Sequence, residues 1–143
     1  VLMNDAEIRQ LTKMSSIPQA AKSLIKSGVR SVIVKKGEHG ALYFSKNDHF
    51  SAPSYPQEAL KDPTGAGDSF AGGLVGYLSY TGDISPENIR RGFVVGSVMA
   101  SFNVEDFGCR RVRALTEDEI YRRFEEFRNF SAFEQLEPIA TRR

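Results

Sequence analysis

DPTGAGDSFAGGLVGYLSY, residues 62–80, joins a loop of small residues to an apolar run through a single acid, Asp68. In the apolar run Phe70, Leu74, Tyr77 and Leu78 share one helical face, while Gly72, Gly73 and Gly76 leave little bulk elsewhere. Each glycine would weaken an exposed helix by about 1 kcal/mol, so the pattern predicts a helix deeply buried against another element. Ahead of it, Gly65, Ala66 and Gly67 offer backbone N–H groups at the positive end of the helix dipole, which attracts an anion, phosphate above all. An aspartate beside such a nest is electrostatically unwelcome unless it has a task. Asp68 suits a general base that takes a proton from a hydroxyl attacking a phosphoryl group. It suits a helix cap equally well, and local chemistry does not choose between the two.

Two other phosphate loops fit less well. A P-loop requires a lysine directly after its last glycine, and none follows Gly67. The dinucleotide fingerprint finds its first two glycines at Gly65 and Gly67, but Phe70 stands at the third position and no strand precedes the loop. The acid that such a site needs on a later strand end would be Asp83, which lies in a turn. An NAD-binding oxidoreductase module and a non-catalytic interaction fragment remain the alternatives.

The rest of the chain frames the motif. With 143 residues, 41% of them hydrophobic, one compact domain is expected. The 19 basic and 18 acidic residues leave a net charge of +1, so nothing draws the chain toward nucleic acid or a membrane surface. Cys109 is the single cysteine, which excludes an internal disulfide framework and a cysteine-rich zinc site and points to a reducing, cytoplasmic setting. Val1–Met3 reads as the end of a buried strand whose beginning lies outside the chain. Helical spacing follows over residues 5–13 and 18–26, Gly28 ends the second helix, and 29–34 is a short β-branched strand. A turn over 35–40 leads to a strand at 41–45 and a hairpin partner within 48–53. Pro53, Pro56 and Pro63 make the next stretch irregular. Ser85-Pro86-Glu87 starts one further helix, and the Thr116/Glu119 pair starts the last. The tail after Phe133 is expected to be loosely held. His39 and His49 read as exposed, Cys109 as structural, and Arg110, Arg111 and Arg113 as surface charge. Helices alternating with a few strands predict a layered α/β domain.

DPTGAGDSFAGG closely resembles the C-terminal signature of the ribokinase-like (PfkB) family of carbohydrate and nucleoside kinases. NDAE at 4–7, VIVKKGEHGALYF at 32–44 and GSVMASFNVEDFG at 96–108 resemble further family elements in the family's order. The resemblance implies the C-terminal part of a three-layer α/β/α sandwich. It implies Asp68 as the catalytic base and the backbone of Gly65, Ala66 and Gly67 as the anion hole. Asn4 and Glu7 would organise magnesium and phosphate, through water; a helix cap is the plainer reading of that pair. Asp62 would sit by a monovalent cation such as K+, or simply open a turn. Lys36, Gly37 and Gly40 would line the nucleotide cleft, although a hairpin turn needs the same glycines. Gly96 and Ser97 would face adenine, although small helical residues also mean tight packing. ATP, Mg2+ and a sugar or nucleoside acceptor are the implied ligands, and the intact enzyme is expected to be a homodimer. Family members are considerably longer, so residues 1–143 are expected to be their nucleotide-binding and catalytic portion. The N-terminal substrate and lid portion is expected to be absent, leaving nucleotide binding with little turnover.

Overall fold

The computed structural model describes residues 1–136; the remainder of the tail, 137–143, lies outside the described residues. A four-stranded sheet runs in the order β1 (Leu2–Asn4), β2 (Ser31–Lys35), β3 (Ala41–Ser45), β4 (His49–Ala52). Strands β1 and β2 are parallel, with Leu2 opposite Ile33, and are joined by the helices α1 (Asp5–Thr12) and α2 (Ile17–Lys26). A parallel pair needs such a crossover. The remaining pairs are antiparallel hairpins.

The period of two along β2 sorts the chain into layers. Val32 and Val34 point to one face, where Ile8, Ile17, Ala20 and Ala21 of the crossover helices cover them. Ile33 points to the other, joining Ala41, Tyr43 and Ala52 under Phe70, Leu74 and Phe93. These last three come from α3 (Ala66–Thr81) and α4 (Pro86–Asn103). The layered α/β arrangement expected from the sequence is the one observed. A short helix, α5 (Arg110–Arg113), not anticipated from the sequence, leads into α6 (Glu117–Ser131), whose Phe127 packs on Val98 and Phe102 of α4. The Thr116/Glu119 capping box forms as expected.

One expectation is corrected. Helix α3 is not deeply buried all round: Val75 is 59% and Tyr80 91% exposed. A Cβ on Gly72 or Gly76 would meet nothing within 4 Å. Only Gly73 serves close packing, since a Cβ there would lie 2.8 Å from Met99 Cγ and 3.0 Å from the Gly96 Cα. Gly96 answers from α4, where a Cβ would come within 2.7 Å of the Phe70 carbonyl oxygen. Counting glycines identified a close helix contact without telling which face makes it. The turn after α3 is locked by the buried Asn88, whose Nδ2 donates to Thr81 Oγ1 at 2.7 Å and to the Asp83 carbonyl at 2.8 Å.

Because Gly96 has no room and Gly72 faces open space, the two should respond oppositely to an added methyl. Gly96→Ala is expected to destabilise the fold by about 2 kcal/mol, from forced overpacking. Gly72→Ala is expected to stabilise it by up to about 1 kcal/mol, from helix propensity. Urea denaturation of both variants checks this, and equal effects would refute the assigned packing.

Candidate active site

A cleft of 860 Å³ lies between the ends of β1 and β2, the irregular 53–63 segment, the N-terminus of α3 and one side of α4. The signature loop forms its chemical end. Gly65, at φ 82°, is the N-cap of α3 and makes no side-chain cap. Only glycine adopts that left-handed conformation at little cost. Ala66, Gly67 and Asp68 are therefore the first three helical residues. The Ala66 N–H donates to the Pro63 carbonyl at 3.2 Å. Among the described residues, the N–H groups of Gly65, Gly67 and Asp68 have no protein acceptor. These three amides form the free nest at the positive helix end.

Asp68 stands exposed beside them, and among the described residues its carboxylate accepts no hydrogen bond and forms no ion pair. The capping alternative is set aside: the N-cap is Gly65, and no bond runs back to it from Asp68. Across the nest stands Lys35, the last residue of β2, whose side chain lies against Gly67. A Cβ there would collide with Lys35 Nζ and lie 3.5 Å from Cε. Lys35 belongs to the strand, paired with Asn4 on one side and Ala41 on the other, which aims it into the cleft. The sequence reading singled out Lys36 instead. Lys36 is absent from the cleft wall and closes the β2–β3 turn by donating its N–H to the Gly40 carbonyl at 2.8 Å. The period of two separates the neighbours, and counting strand positions from Val32 and Val34 would have found it.

The other anticipated residues divide. Asn4 lines the cleft, but its Oδ1 accepts from the Glu7 N–H at 2.8 Å while Glu7 Oε2 accepts from the Asn4 N–H at 2.7 Å. The pair is a capping box for α1. Among the described residues, no group of three His, Cys, Asp or Glu side chains is placed to hold a metal. Asp62 Oδ1 accepts from the Thr64 N–H at 2.9 Å and Oδ2 from the Gly108 N–H at 3.4 Å. The Thr64 backbone bond above all holds its carboxyl below the ordinary value. Gly37 and Gly40 both line the cleft: a Cβ on Gly37 would meet nothing within 4 Å, whereas Gly40 is pressed against Ala52 and Pro53. Ser97 lines the cleft and bonds the Phe93 carbonyl at 3.2 Å, while Gly96 faces α3.

The far wall is held by an ion network that spacing alone does not reveal. The Arg123 guanidinium stacks over Phe102 at 3.6 Å and Tyr55 at 4.5 Å and pairs with Glu105 at 2.6 Å. Arg111, read as surface charge, is instead half-buried between Glu105 at 3.2 Å and Glu119 at 2.6 Å. Tyr55 donates to Glu126 at 2.7 Å, and Gln57 donates to the Ser101 carbonyl at 2.8 Å. Both hold the 53–63 segment against α4 and α6. Arg110, Arg113, His39, His49 and Cys109 are exposed.

Free amides, the Asp68 carboxylate and the facing Lys35 ammonium stand together at one end of the cleft of a layered α/β fold. Residues 1–114 match the model of the pfkB family carbohydrate kinases, and the chain belongs to that family. Deoxyribokinase of Salmonella typhi is 35% identical over 86 residues, 57% of this chain and 28% of that protein. Fructokinase from Vibrio cholerae O395, solved with fructose, ADP and calcium ion bound, shares the fold at TM-score 0.76 and 23% identity. That match covers 85% of this chain and 39% of the fructokinase. The nucleoside kinase of Burkholderia thailandensis, solved in complex with inosine, matches at TM-score 0.67 and 30% identity, over 87% of this chain and 39% of its own. The chain thus spans well under half the length of these relatives. Family membership sets aside the oxidoreductase alternative, and Asp83 is tied into the α3–α4 turn by Ser85 at 2.7 Å. No helix among the described residues is long and apolar enough to cross a membrane.

The network that holds α6 also carries a pH signature. Backbone bonding from Thr116, then the Arg111 guanidinium, lowers the Glu119 carboxyl from 4.5 to about 2. A depressed carboxyl contributes stability that is whole above its unfolded value and is lost as the folded group protonates. Glu119→Gln is therefore expected to be less stable than the parent chain at neutral pH, with the gap constant down to pH 4.5 and closing as pH falls toward about 2. Acid titrations of both chains followed by circular dichroism would show it. A gap independent of pH would refute it.

Proposed function

We propose that residues 1–143 supply the nucleotide-binding and catalytic portion of a kinase that transfers the terminal phosphoryl group of ATP to a hydroxyl of a sugar or nucleoside. The observation behind this reading is the unpartnered Asp68 carboxylate next to free amides at the N-terminus of α3. Asp68 takes the proton of the acceptor hydroxyl as its oxygen bonds to the γ-phosphorus. The bond from that phosphorus to the β–γ bridging oxygen breaks, and ADP leaves. The Gly65-Ala66-Gly67 backbone is the anion hole, with the Gly65 and Gly67 N–H groups free to meet charge on the moving phosphoryl oxygens. Lys35 adds a full positive charge on the opposite side.

Magnesium, implied by the family, neutralises phosphate charge when bound. Asn4 and Glu7 offer the hard oxygens it prefers, but each faces the other, so they would hold it through its water shell. Both Asp62 oxygens accept N–H bonds, and a monovalent cation beside them would use their remaining lone pairs. The apolar remainder of the cleft takes the nucleoside, with Gly37 allowing close approach to backbone and Ser97 on the α4 side. Deoxyribokinase and nucleoside kinase among the relatives support a sugar or nucleoside acceptor.

Asp68→Asn in the whole enzyme is expected to cut phosphoryl transfer about 1,000-fold, the range for loss of a general base, with ATP affinity nearly unchanged. Unchanged turnover would sink the assignment and favour a non-catalytic fragment. Lys35→Met is expected to weaken Mg-ATP binding to this chain by about 10-fold or more, as for a lost charge-assisted hydrogen bond. Calorimetric titration reads it, and equal affinities would remove Lys35 from the phosphate site.

A further inference from the structure

The signature loop carries the chemistry, and its own bonds, from the Thr64 N–H to Asp62 Oδ1 at 2.9 Å and from the Ala66 N–H to the Pro63 carbonyl at 3.2 Å, close it only upon itself. Between Ala52 and Ala66 the chain has no strand or α-helix, and Pro63 cannot donate a backbone bond. What ties the loop to the helices comes from the end of α4. Asn103, the last residue of that helix, is 2% exposed and uses both ends of its amide. Its Nδ2 donates to the Thr64 carbonyl at 2.7 Å, and its Oδ1 accepts from Ser69 Oγ at 2.9 Å. Thr64 directly precedes the nest and Ser69 directly follows Asp68. Gly65 packs on the same amide, where a Cβ would stand 3.5 Å from Oδ1 and 3.6 Å from Nδ2. The next residue, Val104, accepts from the N–H groups of Lys61 at 2.9 Å and Asp62 at 3.4 Å.

We propose that Asn103 is a positioning residue of the phosphoryl site: its amide clamps both flanks of the Gly65–Asp68 turn and so sets the direction of the free N–H groups and of the Asp68 carboxylate. This rests on the functional reading above. An apolar side chain of equal size would fill the same buried volume, but it would leave the Thr64 carbonyl and the Ser69 hydroxyl without partners and the turn free to swing. A carboxylate would keep the acceptor and lose the donor. Asn103 therefore acts through the backbone it holds and touches no substrate.

The test uses the 143-residue chain and two ligands, a non-hydrolysable Mg-ATP analogue and adenosine, titrated calorimetrically. In N103D, affinity for the analogue is expected to fall about 10-fold or more at neutral pH while adenosine affinity stays within about 2-fold, because only the phosphate end is misaimed. Relative to the parent chain at the same pH, the loss is expected to recover below about pH 5, where the introduced carboxyl is protonated and donates to Thr64 again. S69A removes one bond without altering a buried residue, and is expected to lower analogue affinity about 3-fold at every pH. It decides the question if N103D does not fold. An unchanged ratio of the two affinities, or equal losses for both ligands, would overturn the positioning role while leaving the nucleotide site standing. A parent chain that binds neither ligand would overturn the nucleotide site, and this inference with it.

Discussion

The close approach of α3 and α4 is the constraint on which the rest depends. Where Gly73 meets Gly96, backbone approaches backbone beside the Met99 side chain, and a Cβ on Gly96 would stand 2.7 Å from the Phe70 carbonyl oxygen. Two helices that near behave as one rigid body, because neither slides without driving backbone into backbone. Phe70 and Phe93, edge to face at 5.2 Å, seat that body on the sheet. The N-terminus of α3 is thereby aimed at the end of β2, and the C-terminus of α4 falls beside the loop that enters α3. A wider helix pair would leave the nest facing neither Lys35 nor Asn103.

Charge in the cleft is arranged against the usual preference. The positive end of a helix favours an acid, and Asp68 meets that expectation, but Lys35 places an ammonium against the same end. Among the described residues Lys35 forms no ion pair within 4 Å. The Lys35 ammonium and the helix end are two positive sources at one place, and the exposed Asp68 carboxylate beside them offsets part of their repulsion. The arrangement favours a ligand whose charge sits at the N-terminus of α3.

Much of the fold was legible because its causes are local. The β-branched run VRSVIV, the Thr116/Glu119 and Asn4/Glu7 boxes and the prolines at 53, 56 and 63 act within a few residues. The signature was legible for the same reason, being contiguous. What escaped was set by partners distant in sequence. β2 runs one residue past its expected end, to Lys35, and the alternation of faces puts Lys35 rather than Lys36 on the cleft wall. Arg111 looked solvated until Glu105 and Glu119 closed around it. Asn103 carries no signal of its own; its role exists only because α4 ends where the loop passes. Of Gly72, Gly73 and Gly76 in α3, only Gly73 finds a neighbour.

The division between local and distant causes bears on how such a site tolerates change. The Asp68 carboxylate and the free amides occupy consecutive positions at one helix start, so their separation is fixed by the geometry of a single turn, whatever happens elsewhere. The direction of that turn is not local: it depends on the amide of Asn103, on the α3–α4 contact and on the register of β2. Changes in the outer layers, such as on the exposed face of α3, should leave both untouched. Changes at the end of α4 should preserve the constellation and turn it away from Lys35 and the cleft. The short motif thus holds the distances chemistry requires, and the surrounding fold supplies the aim.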